Sequence, residues 1–221
     1  KNIVPIKSNY QGFICDYKKW YLENKQNLIK KKTNLFFDSK GHQINFHLQN
    51  KIKPFLTPLN DTYVSHFIEP KDYYLGEEPN FGIIKSNYDV IKQLKINEVS
   101  EEILKFFESK DISYPFVFLS GSYGTGKSTF TYRLLKNLID SDSELLVYEI
   151  TDSTKIVYQY ISDLINSLTE TKKIIFYCDH SELDLDFKKL RELRGYLSSM
   201  QFPDKSIMLL QSIRENSLEK F

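Results

Sequence analysis

The sequence predicts a mixed α/β fold, in which helices cover both faces of a parallel sheet. From residue 115 onward, short and continuously apolar runs alternate with longer segments whose apolar residues recur at helical spacing. Continuous apolar strands separated by amphipathic helices are typical of parallel sheets that are buried on both faces. A glycine-rich turn joins the first of these strands directly to the first helix, which is a second sign of the same architecture.

Four strands and three helices are predicted in this part of the chain. The run 116–119 is apolar throughout and too short for a helix, whereas the segment that follows the glycine-rich turn places Phe130, Leu134, Leu135 and Leu138 on one face. The same reasoning applies to the later segments. The predicted strands are 116–119, 145–150, 174–178 and 207–210, and the predicted helices are 127–140, 153–168 and 187–200.

We divide the chain into an α+β N-terminal region, residues 1–110, and a second region, residues 111–221, which carries the strand–helix alternation. In the first region we expect a helix over about 15–30 and one or two helices over about 87–109. Apolar and polar residues alternate over 44–48, and a turn signal at 38–41 precedes them, which predicts a β-hairpin with 35–37. Prolines and glycines indicate a mostly irregular stretch over 54–82. The sequence does not indicate the role of this region.

Composition limits the possible functions. The chain has 221 residues and is 41% hydrophobic, so it can bury a real core. Its 30 basic and 29 acidic residues leave a net charge of +1, which gives no electrostatic reason to expect a nucleic-acid partner. Two isolated cysteines form no disulfide framework and no zinc site. Without a long apolar run or a signal peptide, we expect a cytoplasmic protein with no membrane partner.

The glycine-rich turn reads Gly121-Ser122-Tyr123-Gly124-Thr125-Gly126-Lys127-Ser128 and fits the P-loop pattern at every defined position. In such a loop, glycines let successive backbone N–H groups point into one hollow, and the helix that follows adds the positive end of its dipole. The lysine supplies a charge for the outer phosphates. The predicted nucleotide contacts are Gly121, Ser122, Tyr123, Gly124, Thr125, Gly126, Lys127, Ser128 and Thr129.

Two oxygen donors are predicted to hold magnesium. The Ser128 hydroxyl is the P-loop ligand, and Asp179 ends the apolar run 174–178, as the acid of a Walker B strand does. An acid at the end of a buried strand also occurs as a simple loop or capping residue. The position of Asp179 about fifty residues beyond a P-loop favours the metal role.

Hydrolysis requires a group that orients or deprotonates the attacking water. His180 occupies the position at which many hydrolytic P-loop proteins carry glutamate, and Glu182 is the nearest carboxylate. Arg214 follows the last predicted strand and is a candidate for neutralising the γ-phosphate. The predicted catalytic residues are therefore Lys127, Asp179, Glu182 and Arg214, and we expect slow turnover.

The P-loop, the acid at Asp179 and the segment 205–214 resemble, in order and spacing, the nucleotide-binding core of STAND NTPases, which are signal-transduction ATPases related to the AAA+ group. The resemblance covers residues 112–216. It implies a switch that holds ATP or ADP with Mg²⁺, forms homo-oligomers and acts through an upstream effector and a downstream sensor, as in bacterial anti-phage defence. His180, in place of a second acid, and the residues that precede Arg214 depart from the family pattern.

The resemblance also implies features of the whole protein. The strand ending at residue 210 is expected to lie between the P-loop strand and the Walker B strand. The helical lid and a fifth strand have no counterpart after the fourth predicted strand, so we expect a truncated P-loop core from a longer protein. A P-loop phosphotransferase and an AAA+-like DNA-handling ATPase are the alternatives. No guanine-selective N-K-x-D motif occurs, and ATP and GTP are otherwise not distinguished.

Overall fold

The computed structural model describes residues 35–60, 79–85, 87, 89, 93–109, 115–122, 124–179 and 184–214; for 93, 94, 184–186 and 214 it describes the backbone alone. The chain divides into two compact units, Lys1–Asn34 and Leu35–Phe221. All the described residues belong to the second unit. The helix predicted over 15–30 and most of the aromatic stretch over 61–78 lie outside the described residues.

A five-stranded sheet forms the centre of the described unit. Its strands lie in the order β1-β3-β4-β5-β2. Strands β2 to β5 are parallel, and β1 pairs antiparallel with β3. The five strands are β1 (Leu56–Pro58), β2 (Phe116–Gly121), β3 (Leu145–Ile150), β4 (Lys173–Cys178) and β5 (Ser206–Arg214).

Strand β5 lies between β2 and β4, which confirms the order implied by the sequence resemblance. Its register aligns Gln211 with Phe118 on one side and with Cys178 on the other, and Arg214 with Gly121. Because the strands are parallel, the residues that follow β2, β4 and β5 leave the sheet at one edge. The glycine-rich loop and Asp179 therefore lie at the same edge of the sheet.

Helices cover both faces, as the apolar pattern predicts. On one face α4 packs with α2 and α3, and on the other face α5 packs with α6. A 3₁₀ turn, Ser153–Lys155, precedes α5. The helices are α1 (Phe46–Ile52), α2 (Phe81–Lys85), α3 (Gln93–Glu108), α4 (Lys127–Ser141), α5 (Tyr158–Ser167) and α6 (Asp184–Met200). None of the helices in the described ranges is long and apolar enough to cross a membrane.

Successive sheet residues alternate between these two faces, because side chains along a strand alternate in direction. In β4, Ile174, Phe176 and Cys178 face α5 and α6, whereas Ile175 and Tyr177 face α4. All five are buried. Because both faces of β4 are covered, every residue from 174 to 178 is apolar, as the sequence pattern predicted.

The predicted hairpin strand over 44–48 is wrong, because a helix begins there. Asn45 caps α1, its side-chain Oδ1 accepting the N–H of His47 at 2.8 Å. Phe46, which the strand pattern required to be inward, is 65% exposed. Only the turn at 38–41 is as expected: it is closed by a bridge between Phe37 and Gln43 and by the Asp38 carboxylate.

The stretch predicted as irregular, 54–82, holds two regular elements among its described residues, β1 and α2. Strand β1 adds to the same sheet as the P-loop strand through its pairing with β3. Leu56 in β1 and Phe55, the residue before the strand, belong to the core that also contains Phe176. Residues 55–58 therefore share a sheet and a core with the region beyond residue 111. The division of the chain into regions 1–110 and 111–221 stays a prediction.

Candidate nucleotide-binding site

The loop between β2 and α4 is turned back on itself at two glycines. Gly124 has φ of +72° and Gly126 has φ of +77°, a left-handed conformation that side chains disfavour. A Cβ at either glycine would meet no atom within 4 Å, so the conformation, and not crowding, requires glycine there. Tyr123 lies outside the described residues. The left-handed turns direct the loop into the first turn of α4.

Helix α4 begins without a side-chain cap. Its N-cap residue is Gly126, which can supply no side-chain acceptor for the first-turn N–H groups. The first hydrogen bond of the helix runs from the N–H of Phe130 to the carbonyl of Gly126, at 2.9 Å. A helix N-terminus of this kind carries partial positive charge and suits an anion.

Two side chains fold over the loop. The Lys127 ammonium and the Thr125 hydroxyl both donate to the carbonyl of Ser122, at 2.9 Å and 2.8 Å. Gly121 lies under them: a Cβ there would be 3.1 Å from Thr125 Oγ1 and 3.2 Å from Lys127 Cγ. The ammonium group is thus held against the carbonyl of Ser122, within the same loop.

Ser128 and Asp179 approach the same edge from two elements. Ser128 lies three residues before Thr131, so the two side chains share one face of α4. The Thr131 hydroxyl lies 3.0 Å from that of Ser212. Cys178 of β4 pairs with Gln211 of β5. Asp179 is the residue after Cys178 and Ser212 is the residue after Gln211, so Asp179 and Ser212 are next to each other in the same register. Ser128 lies one turn, about 5 Å, nearer the loop along that helix face.

The structure describes some of the remaining predicted site residues and not others. Arg214 is the last residue of β5 and pairs with Gly121, so its backbone lies beside the first loop residue. This corrects the expectation that Gln211 to Arg214 follow the strand, because they form its last four residues. Ser128 and Thr129 are both buried. His180 and Glu182 lie outside the described residues, and their assignment stays a prediction.

Sequence reasoning missed a set of buried polar side chains behind the loop. The Tyr132 hydroxyl donates to Glu149 Oε1 on β3. The pKa of Tyr132 is raised, mainly by burial and next by the negative charge of Glu149. Burial also raises the pKa of Tyr177, with the charge of Asp179 as the next cause. Thr131 and Ser212 complete the set. Tyr177 and Glu149 each place a polar group within an apolar strand, and these two residues were the signal in the sequence.

The donor atoms at this edge fit Mg²⁺ bound together with phosphate. A hydroxyl and a carboxylate are hard oxygen ligands, and Mg²⁺ usually takes one or two protein ligands while phosphates and water supply the others. The described ranges contain no group of three or more His, Cys, Asp or Glu side chains that could hold a metal alone. The hydroxyl and the carboxylate are as many protein ligands as Mg²⁺ usually takes when phosphates supply the others.

The sheet order and the loop give the chain the α/β fold of P-loop proteins. No protein-family model matches the sequence, and no curated protein matches it significantly. Among solved structures, the chain aligns with the S. cerevisiae Hsp104:casein complex in its extended conformation (TM-score 0.42, 11% identity, 77% of this chain and 27% of that chain). It also aligns with C. elegans PCH-2 (TM-score 0.39, 20% identity, 60% and 41%) and with Rhizobiales Trip13 (TM-score 0.33, 10% identity, 79% and 60%).

The chain thus spans less than two thirds of each of these structures. At these TM-scores and identities the likeness carries no information about activity. The class of the fold rests on the strand order and on the loop that joins β2 to α4.

Proposed function

We propose that this chain binds ATP with Mg²⁺ through residues 121–129 and works as a regulatory NTPase switch of the STAND type. The observation that carries the proposal is the geometry of the loop. Two left-handed glycines lead into an uncapped helix, and the Lys127 ammonium is folded back onto the Ser122 carbonyl of the same loop. Backbone amides, a helix terminus and a mobile cation together suit a polyphosphate.

The roles follow from position. Lys127 neutralises the outer phosphates. Ser128 and Asp179 would hold the metal, which would supply positive charge to neutralise the phosphates. The backbone of Arg214 lies beside Gly121, which supports a role at the γ-phosphate. Glu182 is the proposed residue that orients water. With no second acid directly after Asp179, hydrolysis is slow and the nucleotide state lasts long enough to act as a signal.

The switch role extends to the whole protein. ATP binding favours homo-oligomerisation, and the assembled form activates an effector, in anti-phage defence or another response. The charge balance of +1 gives no support to a DNA-handling motor. A phosphotransferase needs a mobile lid, whereas residues Asp184–Met200 form one regular helix.

Particle size and phosphate release, followed together after addition of ATP and Mg²⁺ to the full-length protein, test the proposal. We expect nucleotide-dependent assembly with turnover well below the median enzyme rate of about 10 s⁻¹. Phosphate transfer to an added metabolite without assembly would instead indicate a phosphotransferase. Turnover stimulated by DNA would indicate a motor. Either result would contradict the switch.

The metal assignment makes a separate prediction. Asp179→Asn removes the charge that favours Mg²⁺ while keeping the size of the side chain. We expect ATP affinity measured with Mg²⁺ to fall roughly tenfold or more, and affinity measured in EDTA to stay within about twofold. Isothermal titration under both conditions measures this. An equal loss with and without Mg²⁺ would show that Asp179 acts structurally.

A further inference from the structure

Strand β5 fixes the beginning of the glycine-rich loop through the sheet. Arg214 pairs with Gly121, the first loop residue, and Ser212 pairs with Leu119, two residues earlier. The end of β5 therefore lies along the last residues of β2, and backbone pairing sets the position at which the loop begins. From Gly121 the chain leaves the sheet and enters α4 at Lys127.

The same strand also contacts the helix in which the loop ends. Thr131 of α4 and Ser212 of β5 are 0% and 2% exposed, and their hydroxyl oxygens lie 3.0 Å apart. The Thr131 hydroxyl also contacts the backbone carbonyl of Lys127 at 2.9 Å. Because Lys127 is the first residue of α4, these two contacts connect β5 to the first turn of that helix.

The directions of the two hydrogen bonds follow by counting hydrogens. A carbonyl can only accept, so the Thr131 hydroxyl donates its one hydrogen to Lys127. Ser212 must then be the donor to Thr131. The Ser212 oxygen can in turn accept from the Tyr177 hydroxyl, 3.2 Å away. Loss of the Ser212 hydroxyl would therefore remove the donor that holds Thr131 against β5, in a place where water cannot replace it.

Both ends of the loop depend on this one strand. The beginning depends on the pairing of Gly121 with Arg214, and the end depends on the contacts from Lys127 through Thr131 to Ser212. A loop held at both ends loses less conformational freedom when it binds a ligand. Lys127 and Arg214, the residues assigned above to the outer phosphates, belong to the two elements that these contacts join.

We propose that Thr131 and Ser212 are positioning residues that hold α4 and β5 in the arrangement that the γ-phosphate of ATP requires. Both side chains are buried, so they act through the backbone of Lys127 and not by contact with the nucleotide. ADP lacks the phosphate that needs Lys127 and Arg214 together. The two hydroxyls therefore favour ATP over ADP. This inference rests on the proposed function.

Four variants separate the hydrogen bonds from the packing of these residues. Ser212→Ala and Thr131→Val each remove one bonded hydroxyl and change the volume little, whereas Thr131→Ser keeps the hydroxyl and removes a methyl group. Ser162→Ala is the matched control. Ser162 is also 0% exposed, lies in α5 on the other face of the sheet, and its hydroxyl has no hydrogen-bond partner among the described residues.

The affinities for ATP and for ADP, each with Mg²⁺, are measured by isothermal titration for the wild-type protein and the four variants. For Ser212→Ala and Thr131→Val we expect ATP affinity to fall roughly three- to tenfold, as for one buried hydrogen bond, and ADP affinity to fall no more than about twofold. Thr131→Ser and Ser162→Ala should keep the wild-type ratio of the two affinities. Equal losses for ATP and ADP would show a purely structural contact, and no loss would also overturn the inference.

The double variant Thr131→Val with Ser212→Ala tests whether the two hydroxyls act together. It should lose about as much ATP affinity as either single variant, because each one already breaks the same connection. Additive losses would refute the coupling. If Ser212→Ala does not fold, the comparison of Thr131→Val with Thr131→Ser decides the question. A wild-type protein that binds no ATP would remove the proposed function as well, whereas wild-type binding with an unchanged ratio in every variant removes this inference alone.

Discussion

Gly121 shows how closely the loop folds back on itself. A Cβ there would lie 3.1 Å from Thr125 Oγ1 and within 3.3 Å of two carbons of the Lys127 side chain. Contacts this short require the neighbours to move. The neighbours are two of the groups proposed to face phosphate, so the packing of Gly121 and the function of the loop are linked.

Gly121→Ala should therefore displace Lys127 without breaking the fold. We expect ATP affinity to fall roughly tenfold, equivalent to about 1.4 kcal/mol, and the melting temperature to change little. Gly195→Ala is the control: Gly195 lies in α6, where a Cβ meets nothing within 4 Å, and alanine should stabilise the helix by up to about 1 kcal/mol. Equal ATP affinity for wild type and Gly121→Ala would contradict this account.

Asp38 illustrates a residue whose role is structural. Its buried carboxylate accepts the N–H groups of Lys40 and His42 and contacts the His42 ring. Burial raises the pKa of Asp38, but the hydrogen bonds from His42 and Lys40 outweigh it, and the net pKa is lowered. A lowered pKa stabilises the fold above the unfolded value of about 3.9 and loses that contribution as pH falls through the folded value.

Asp38→Asn should consequently lower the free energy of unfolding at pH 7 and have a smaller effect as the pH falls below about 4. Urea denaturation across pH 7 to 3 measures the difference between the two proteins. Glu144→Gln, at an exposed acid near the same turn, removes the same charge and serves as the control. A difference between Asp38→Asn and wild type that stays constant down to pH 3 would rule out the charged carboxylate as its cause.

Among the helices and strands, those with a continuous apolar run or a complete amphipathic pattern were predictable from sequence. Helix α4 and strands β3 and β4 lie within a residue or so of their predicted bounds, because burial alone determines their pattern. Helix α1 was predicted as a strand because the alternation over 44–48 does not show that Gln49 is buried and hydrogen-bonded. Its side chain donates to the Ile44 carbonyl at 2.6 Å and accepts the N–H of Phe36, thirteen residues earlier, at 3.5 Å.

Helix α4 is anchored to the segment before α3 by a buried ion pair. Arg133 Nε donates to Asp89 Oδ2 at 2.8 Å, and another guanidinium nitrogen donates to Asn87 at 3.0 Å. The side chains of Arg133 and Asp89 are only 17% and 2% exposed. Removing one partner of such a pair leaves a charge buried without compensation.

Arg133→Met should thus destabilise the fold by about 3–5 kcal/mol, and Asp89→Leu in the same chain should restore much of the loss. Lys136→Met is the control on the same helix, since its ion pair with Asp140 is partly exposed and should contribute less than about 1 kcal/mol. Urea denaturation compares the four proteins. Similar losses for Arg133→Met and Lys136→Met would show that burial of the pair does not matter.

At the scale of the whole molecule, the parallel sheet was predictable and the antiparallel edge was not. Strand β1 has three residues and ends in Pro58, so it carries no strand pattern of its own. It pairs with β3, about ninety residues later, and only the folded chain reveals that partner. The buried polar side chains behind the loop were also hidden, because Thr131, Tyr177 and Ser212 belong to three elements that are distant in sequence.

The parallel arrangement of the sheet explains why the predicted site residues lie at one edge. Strands β2, β4 and β5 all run toward it, so the glycine-rich loop, Asp179 and the backbone of Arg214 lie at that edge. Parallel strands therefore bring together residues that are more than ninety positions apart in sequence. The proposed function needs only that these groups converge on one polyphosphate.

The most direct test of that convergence is the affinity of the wild-type protein and of Lys127→Ala for ATP with Mg²⁺, measured by isothermal titration together with the melting temperature of each. The account predicts that the wild type binds and that the variant binds at least about a hundredfold more weakly, a loss of roughly 2.7 kcal/mol, with a similar melting temperature in the absence of nucleotide. Equal ATP affinity of the two proteins would contradict it.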